Sequence, residues 1–185
     1  MRLGILISGR GSNMRSIVGA VRDGRLSAEV ALVLSNKQRA PGLSWALENG
    51  LPTAAVSRKG LDREAFDARI DAELRSAGVD LVVLAGFMRV LSPWFVRQWR
   101  IVNIHPSLLP DFPGLDVHQR ALDAGVSESG CTVHFVDEGV DTGPIIAQSR
   151  VPVLAGDTED SLAARILEQE HVLYPEAIQR VIDGD

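Results

Sequence analysis

The sequence predicts an α/β fold with a mostly parallel sheet, and three observations carry that expectation. Short β-rich runs recur at residues 3–7, 30–34, 81–84 and 101–102. Between most of them lie segments with helical period, the alternation expected of βαβ units whose strands are buried on both faces. Nearer the C-terminus the pattern changes: CTVHFV (131–136) and PIIAQSRVPV (144–153) flank DEGVDTG. That connection is turn-rich and too short for a crossover helix, so the two runs should be antiparallel neighbours. With 185 residues, 45% of them hydrophobic, the chain supports one substantial core. No internal repeat, low-complexity tract or linker divides it, and the expectation is a single domain over 1–185.

The first helix should begin near Ser12 or Asn13, both good N-caps. Met14, Ile17, Val18 and Val21 then follow with spacing i, i+3, i+4, i+7, and Gly24 is the expected stop. A second helix opens at Pro41 and ends at Asn49 and Gly50. A third starts at Asp62, buries Phe66, Ile70 and Leu74, and ends at Gly78. The last begins near Asp157 or Thr158, with Glu159 and Asp160 suited to its positive end, and runs to about residue 182 with a bend at Pro175.

Nineteen basic residues against 24 acidic ones give a net charge of −5, without a run of like charges, which argues against duplex nucleic acid as a partner. A small phosphorylated ligand is still compatible, because a helix N-terminus supplies local positive potential. The one cysteine, Cys131, has no partner for a disulfide or a Cys-based metal site. His118, His134 and His171 form no ligand spacing with one another, so no metal is expected. The N-terminal apolar run covers only residues 3–7, shorter than a signal-peptide core or a membrane span. A cytoplasmic protein without membrane association is the expectation.

SGRGSN, residues 8–13, sits between the first strand and the first helix, where backbone N–H groups and the helix dipole can hold an anion. No Lys-Ser/Thr pair follows, so it is not a Walker A loop. It is also a poor dinucleotide fingerprint: Met14 replaces the third glycine, and the second strand ends in Ser35 and Asn36 without an acidic residue for a ribose. A monophosphate fits better than NAD. An ordinary strand-to-helix turn fits the motif equally well.

VNIHPSLLP, residues 102–110, sets Asn103 and His105 two apart, on one side of an extended segment, with Pro106 and Pro110 restricting the backbone. A histidine held in one place suits oxyanion stabilisation. Asp141, in DEGVDTG, is the candidate third member, since a carboxylate beside a histidine raises its pKa and fixes its orientation. The plainer readings are a histidine satisfied by local loop hydrogen bonds and, with Asp137 and Glu138 close by, a solvated acidic turn. No Gly-x-Ser-x-Gly elbow surrounds Ser107, and Cys131 lies in a strand pattern, so no covalent catalyst is evident. Direct transfer between two bound substrates is the remaining reaction type.

SGRGSN, VLAGFMRVLSP, VNIHPSLLP and TVHFVDEGVDTGPII, in this order, resemble the phosphoribosylglycinamide formyltransferases, the folate-dependent enzymes of purine synthesis. The resemblance covers nearly the whole chain. It implies the formyltransferase fold, a Rossmann-like sheet flanked by helices, with the N-terminal half binding phosphate and ribonucleotide and the C-terminal half serving folate binding and catalysis. By motif, Gly11, Ser12 and Asn13 would bind the phosphate end of glycinamide ribonucleotide, and Asn103, His105 and Asp141 would form the catalytic group. Arg63, in DREAFD, with Met88, Arg89, Val90, Leu91 and Asn103, would contact 10-formyltetrahydrofolate as co-substrate. Glu170 would face the ribonucleotide; it continues the stripe of Ala163 and Ile166, where a carboxylate is out of pattern unless the stripe there emerges into solvent. The expected reaction is attack of the amine on the formyl carbon through a tetrahedral intermediate, without a metal, by a monomer or homodimer.

The chain departs from the family pattern in two places. FPGLDVHQ has Asp116 where many members carry a histidine, so Asp116 stays outside the expected site. The chain also stops at VIDGD, where many relatives continue into a short tail that lies beyond every motif used here. A formyltetrahydrofolate deformylase, a hydrolase, shares the HPSLLP-type loop but usually carries a further N-terminal regulatory domain. Methionyl-tRNA formyltransferases need an additional C-terminal domain, and sugar formyltransferases resemble the catalytic half. A non-catalytic nucleotide-sensing module predicts a broken Asn/His/Asp set, whereas here the set is intact.

Overall fold

Strand β1 (Arg2–Ile7) carries Leu3, Ile5, Leu6 and Ile7, all without solvent exposure. Neighbouring residues of a strand point to opposite faces, so both faces of β1 are covered, as in a central strand of a parallel sheet. In the computed structural model, which describes residues 1–184, the chain forms two compact units, Met1–Val102 and Asn103–Asp185.

In the first unit β1 pairs in parallel with β2 (Glu29–Ser35) and with β4 (Leu81–Leu84), and β2 pairs in parallel with β3 (Thr53–Ala55). The order is β3-β2-β1-β4. Helices α1 (Ser12–Arg22), α2 (Pro41–Glu48), α3 (Arg63–Ser76) and α4 (Pro93–Gln98) alternate with the strands, as the sequence predicts for βαβ units. Strand β5 (Ile101–His105) leads into the second unit, which holds α5 (Val117–Asp123), β6 (Glu128–Phe135), β7 (Ile145–Pro152) and α6 (Glu159–Asp183). Strands β6 and β7 pair antiparallel, with Thr132 opposite Gln148. The α/β class, the mostly parallel strands and the C-terminal antiparallel pair all agree with the sequence reading.

The differences lie at element ends and in short elements. Gly11, with φ 72°, caps α1, and Ser12 and Asn13 lie inside its first turn. A left-handed residue there costs glycine nothing, and it replaces the side-chain cap expected from Ser12 or Asn13. On α1 the buried stripe takes in Ala20 while Val21 is half-buried. Strand β3 and helices α4 and α5 were not read from the sequence, because three to seven residues show no repeated stripe. α4 nevertheless carries its own signal in Ser92, whose side chain caps it, followed by Pro93.

Helix α6 packs against β6, β7 and α5 through Leu162, Ile166, Leu173, Tyr174, Ala177, Ile178 and Val181. Burial of each large aliphatic side chain contributes about 1.5–3 kcal/mol. Pro175 lies inside the helix and is itself buried. Among the described residues no helix is long and apolar enough to cross a membrane. At the start of α6 the Thr158 hydroxyl accepts from Ser161 N–H (3.2 Å), and the Ser161 hydroxyl accepts from Thr158 N–H (2.9 Å). Asp157 beneath them takes two guanidinium contacts from Arg165, at 2.7 and 2.8 Å. Thr158→Ala removes one side of this reciprocal cap and should lower the unfolding free energy by about 1 kcal/mol, seen as an earlier denaturant midpoint with unchanged slope.

Candidate active site

The alternation of β5 sets Asn103 and His105 on one face, and both reach polar partners in the second unit. His105 Nδ1 lies 3.3 Å from Asp141 Oδ2, and its Nε2 lies 2.9 Å from the Phe112 carbonyl. A carbonyl only accepts, so Nε2 carries the hydrogen of that bond. Asn103 Nδ2 is 3.3 Å from His134 Nε2, and His134 Nδ1 is 2.8 Å from the Phe135 carbonyl. Asp141 Oδ1 lies 3.6 Å from the same His134 Nε2, while Gly114 N–H donates to Asp141 Oδ2 at 2.9 Å. The three residues expected from the sequence are thus joined into one cluster, with His134 as a fourth member.

His134 Nε2 cannot serve both neighbours in one protonation state. In the neutral ring, with its proton on Nδ1, Nε2 accepts from the Asn103 amide; in the protonated ring it donates to Asp141, and the amide must turn its oxygen inward. The sequence reading left His134 outside the site. Its signal was present: Thr132 and His134 alternate with Cys131 and Val133 on a buried strand, so one face of β6 is polar where an apolar one is the default.

Asp141 has φ 54° and a side chain only 14% exposed, which rules out a solvated turn for it. Asp137 takes that part instead, accepting from Gly139 N–H and the Thr142 hydroxyl. Burial pushes the Asp141 carboxyl up, but the His134 hydrogen bond, the Gly114 N–H and the charges of His105 and His134 outweigh it and hold the group below its ordinary value.

A second set of bonds fixes the loop after β5. The Ser107 hydroxyl donates to the Asp111 carbonyl at 2.6 Å, so it is committed to the backbone. Thr132 Oγ1 donates to the Ser107 carbonyl (2.7 Å) and accepts from Leu109 N–H (3.0 Å). Gln148 adds donors to the Leu109 carbonyl and to Thr132 Oγ1. Arg120 braces the next turn, donating to the Pro113 carbonyl at 2.6 Å with its guanidinium 5.6 Å from the Phe112 ring centre. Asp116 caps α5 with φ 55° and is exposed, outside the cluster. Glu170 is 6% exposed on α6, so its stripe does not emerge into solvent there. Burial first, and the Glu170 charge second, push the Cys131 thiol up to about 12 against a hydrogen bond with the Ser149 backbone.

The first unit holds the other expected site residues. Gly11, Ser12 and Asn13 form the turn into α1. Gly42 N–H donates to the Gly9 carbonyl, and a Cβ on Gly42 would meet Gly9 O at 2.9 Å and Arg10 O at 3.0 Å. Only glycine therefore lets α2 lie so close to this turn. The Ser8 hydroxyl donates to Asn36 Oδ1 (2.7 Å) and accepts from Met88 N–H (2.8 Å). Asp67, fully buried, accepts from Ser92 N–H at 2.6 Å. Residues 88–91 are thus pinned at both ends, and Arg63, Met88, Arg89 and Val90 line a cavity of about 430 Å³ together with Arg58 and Phe66, while Leu91 is buried. Ser8, Gly42 and Asp67 were not singled out as supports from the sequence, since each acts through partners distant along the chain.

Residues 1–178 match the family model described as formyl transferase. The chain belongs to the formyl transferase family. Over the whole of its length it is 46% identical to phosphoribosylglycinamide formyltransferase of Escherichia coli, of which it spans 88%. It is 53% identical, over 99% of its length, to part of the trifunctional purine biosynthetic protein adenosine-3 of Drosophila melanogaster, and spans only 14% of that protein. The crystal structure of glycinamide ribonucleotide transformylase 1 from Symbiobacterium toebii superposes on all of this chain with a TM-score of 0.97 at 48% identity, the chain covering 88% of it. Among the described residues no group of three or more His, Cys, Asp or Glu side chains is placed to hold a metal ion.

Two measurements follow from this geometry. A thiol reagent should leave Cys131 unlabelled in the native protein below pH 10 and label it on denaturation, because the thiolate is the reactive form. The ordinary carboxyl value is 3.8 and the folded value of Asp141 lies below it. Its contribution to stability is complete above the ordinary value and is lost as pH falls through the folded one. The stability difference between the wild type and Asp141→Asn should accordingly be constant at neutral pH and shrink below about pH 4.

Proposed function

We propose that this chain transfers the formyl group of 10-formyltetrahydrofolate to the amine of glycinamide ribonucleotide in purine biosynthesis, as a cytoplasmic enzyme acting on these two small molecules without a metal. The observation that carries the reading is the hydrogen-bonded set of Asn103, His105 and Asp141, accompanied by a serine and a cysteine that are both unsuited to nucleophilic attack.

The amine nitrogen attacks the formyl carbon, the new C–N bond forms, and the formyl oxygen becomes an oxyanion. Asn103 Nδ2 donates to that oxygen, leaving His134 as it does so. His105 has an acceptor on each nitrogen, the pattern that suits a doubly protonated ring, and it moves its Nε2–H from the Phe112 carbonyl to the oxyanion. Asp141, ionised in the resting site, holds His105 in orientation and, through a water, takes the proton that the amine loses. That proton passes to the folate nitrogen as its bond to the formyl carbon breaks. No acyl-enzyme is needed.

The remaining assignments use the first unit and α6. Gly11, Ser12 and Asn13 present backbone N–H groups at the N-terminus of α1 to the phosphate. Arg63, Met88, Arg89, Val90 and Leu91 contact the folate, together with Asn103. Glu170, a buried carboxylate, faces the ribonucleotide.

Asp141→Asn keeps the shape and removes the charge; kcat should fall by about 10²–10⁴. Asn103→Ala removes one oxyanion donor and should cost about 10²–10³ in kcat. The assay follows absorbance as 10-formyltetrahydrofolate loses its formyl group, with and without glycinamide ribonucleotide. Loss that does not require the ribonucleotide identifies a hydrolase, and near-normal turnover by either variant overturns the mechanism.

A further inference from the structure

The turn that supplies backbone partners to His105 and Asp141 has a demanding geometry. Phe112 and Asp116 have φ 52° and 55°, and Gly114 between them has φ 84°. A left-handed backbone is unfavourable for a bulky residue such as phenylalanine, so the turn persists only where its surroundings hold it. Apolar burial does not do so: Leu115 is 75% exposed, and Phe112 is half-buried. Hydrogen bonds hold it instead.

Ser107 secures the near end, with its hydroxyl donating to the Asp111 carbonyl at 2.6 Å and lying 3.2 Å from the Phe112 carbonyl. Arg120, reaching back from α5, secures the far end. Its Nη1 donates to the Pro113 carbonyl at 2.6 Å and to the Leu115 carbonyl at 3.2 Å, and its guanidinium lies 5.6 Å from the Phe112 ring centre. A planar cation can make all three contacts at once. Arg2, Arg75, Arg150 and Arg165 each sit on a carboxylate, whereas Arg120 is committed to the backbone. Gly114 stands between the two carbonyls that Arg120 holds, and its N–H is the group that meets Asp141 Oδ2 at 2.9 Å. The Phe112 carbonyl, under the guanidinium, is the group that meets His105 Nε2 at 2.9 Å.

We infer that Arg120 is a positioning residue: by clamping the carbonyls on either side of Gly114, it sets the Gly114 N–H against Asp141 and the Phe112 carbonyl against His105. The inference deepens the reading proposed above, which gives His105 and Asp141 the chemistry. Arg120 bonds neither of them and acts through the turn. A displacement of about 1 Å in a reacting group costs up to about 10²-fold in rate, so loss of the clamp should appear in kcat.

The test compares the wild type with Arg120→Ala and Arg120→Lys by two readouts. One is kcat and KM for both substrates; the other is the ionisation of Asp141 in the ligand-free protein, followed by its carboxyl ¹³C signal. Arg120→Ala should lower kcat by about 10- to 100-fold and leave KM for the ribonucleotide unchanged. Its Asp141 should titrate at a higher pH than in the wild type, because the Gly114 N–H favours the carboxylate; His105 from β5 and His134 from β6 still face the group, so the rise is partial. Arg120→Lys keeps a donor but loses the planar fork and the stacking on Phe112, and should fall between the two on both readouts. Melting temperatures are the folding control: a weakened α5 alone would lower them without moving the Asp141 titration. Should Arg120→Ala fail to fold, Arg120→Lys carries the same comparisons. Wild-type kcat in a folded variant, or a lower kcat with an unmoved Asp141 titration, overturns the inference alone. A wild type without ribonucleotide-dependent transfer overturns the functional reading alone, because the titration needs no substrate and still decides the clamp.

Discussion

The candidate site depends on one buried carboxylate. Asp141 could not keep its charge at 14% exposure without partners, and it draws them from three other segments: His105 at the end of β5, Gly114 in the following turn, and His134 in β6. Its backbone carries φ 54°, a left-handed conformation that aspartate tolerates better than most side chains. That geometry costs on the order of 1 kcal/mol, which the hydrogen bond from Gly114 offsets. The DEGVDTG connection is therefore shaped around Asp141, with Asp137 tying down the opposite side of the same turn.

Beneath the charged cluster lies a neutral network that determines where His105 can stand. Thr132 both donates to and accepts from the loop 107–109, and Gln148 closes the set from the neighbouring strand. Each of these polar groups is satisfied by protein, so the network is rigid and does not depend on ligand for its shape. The network holds Ser107 by its carbonyl, while the Ser107 hydroxyl is committed separately to the Asp111 carbonyl.

The first unit solves a similar problem with different residues. Its turns at residues 9–13 and 88–91 are held by side chains from other segments: Ser8 joins residues 36 and 88, Asp67 holds residue 92, and the bare Gly42 admits α2 to the turn at residues 9–10. A buried carboxylate on α3 that bonds a loop amide is an uncommon use of aspartate. It fixes the end of the 88–91 segment through the Ser92 N–H.

The sequence by itself determined the α/β class, the four long helices, the C-terminal antiparallel pair and the candidate group of Asn103, His105 and Asp141. Periodicities of 2 and 3.6, capping residues and motif spacing are local, and local signals survive without knowledge of the fold. Thr158 at the start of α6 and Asp62 at the start of α3 were legible for that reason. The tertiary structure decided what those residues meet. That His134 shares Asp141 with His105, that Phe112 and Gly114 supply backbone partners, and that Ser8 and Asp67 hold a segment 80 and 25 residues away respectively are contacts between distant parts of the chain. Hydrogen bonds of this kind leave no period in the sequence, because the partners are set by how strands and helices pack and not by their spacing along the chain.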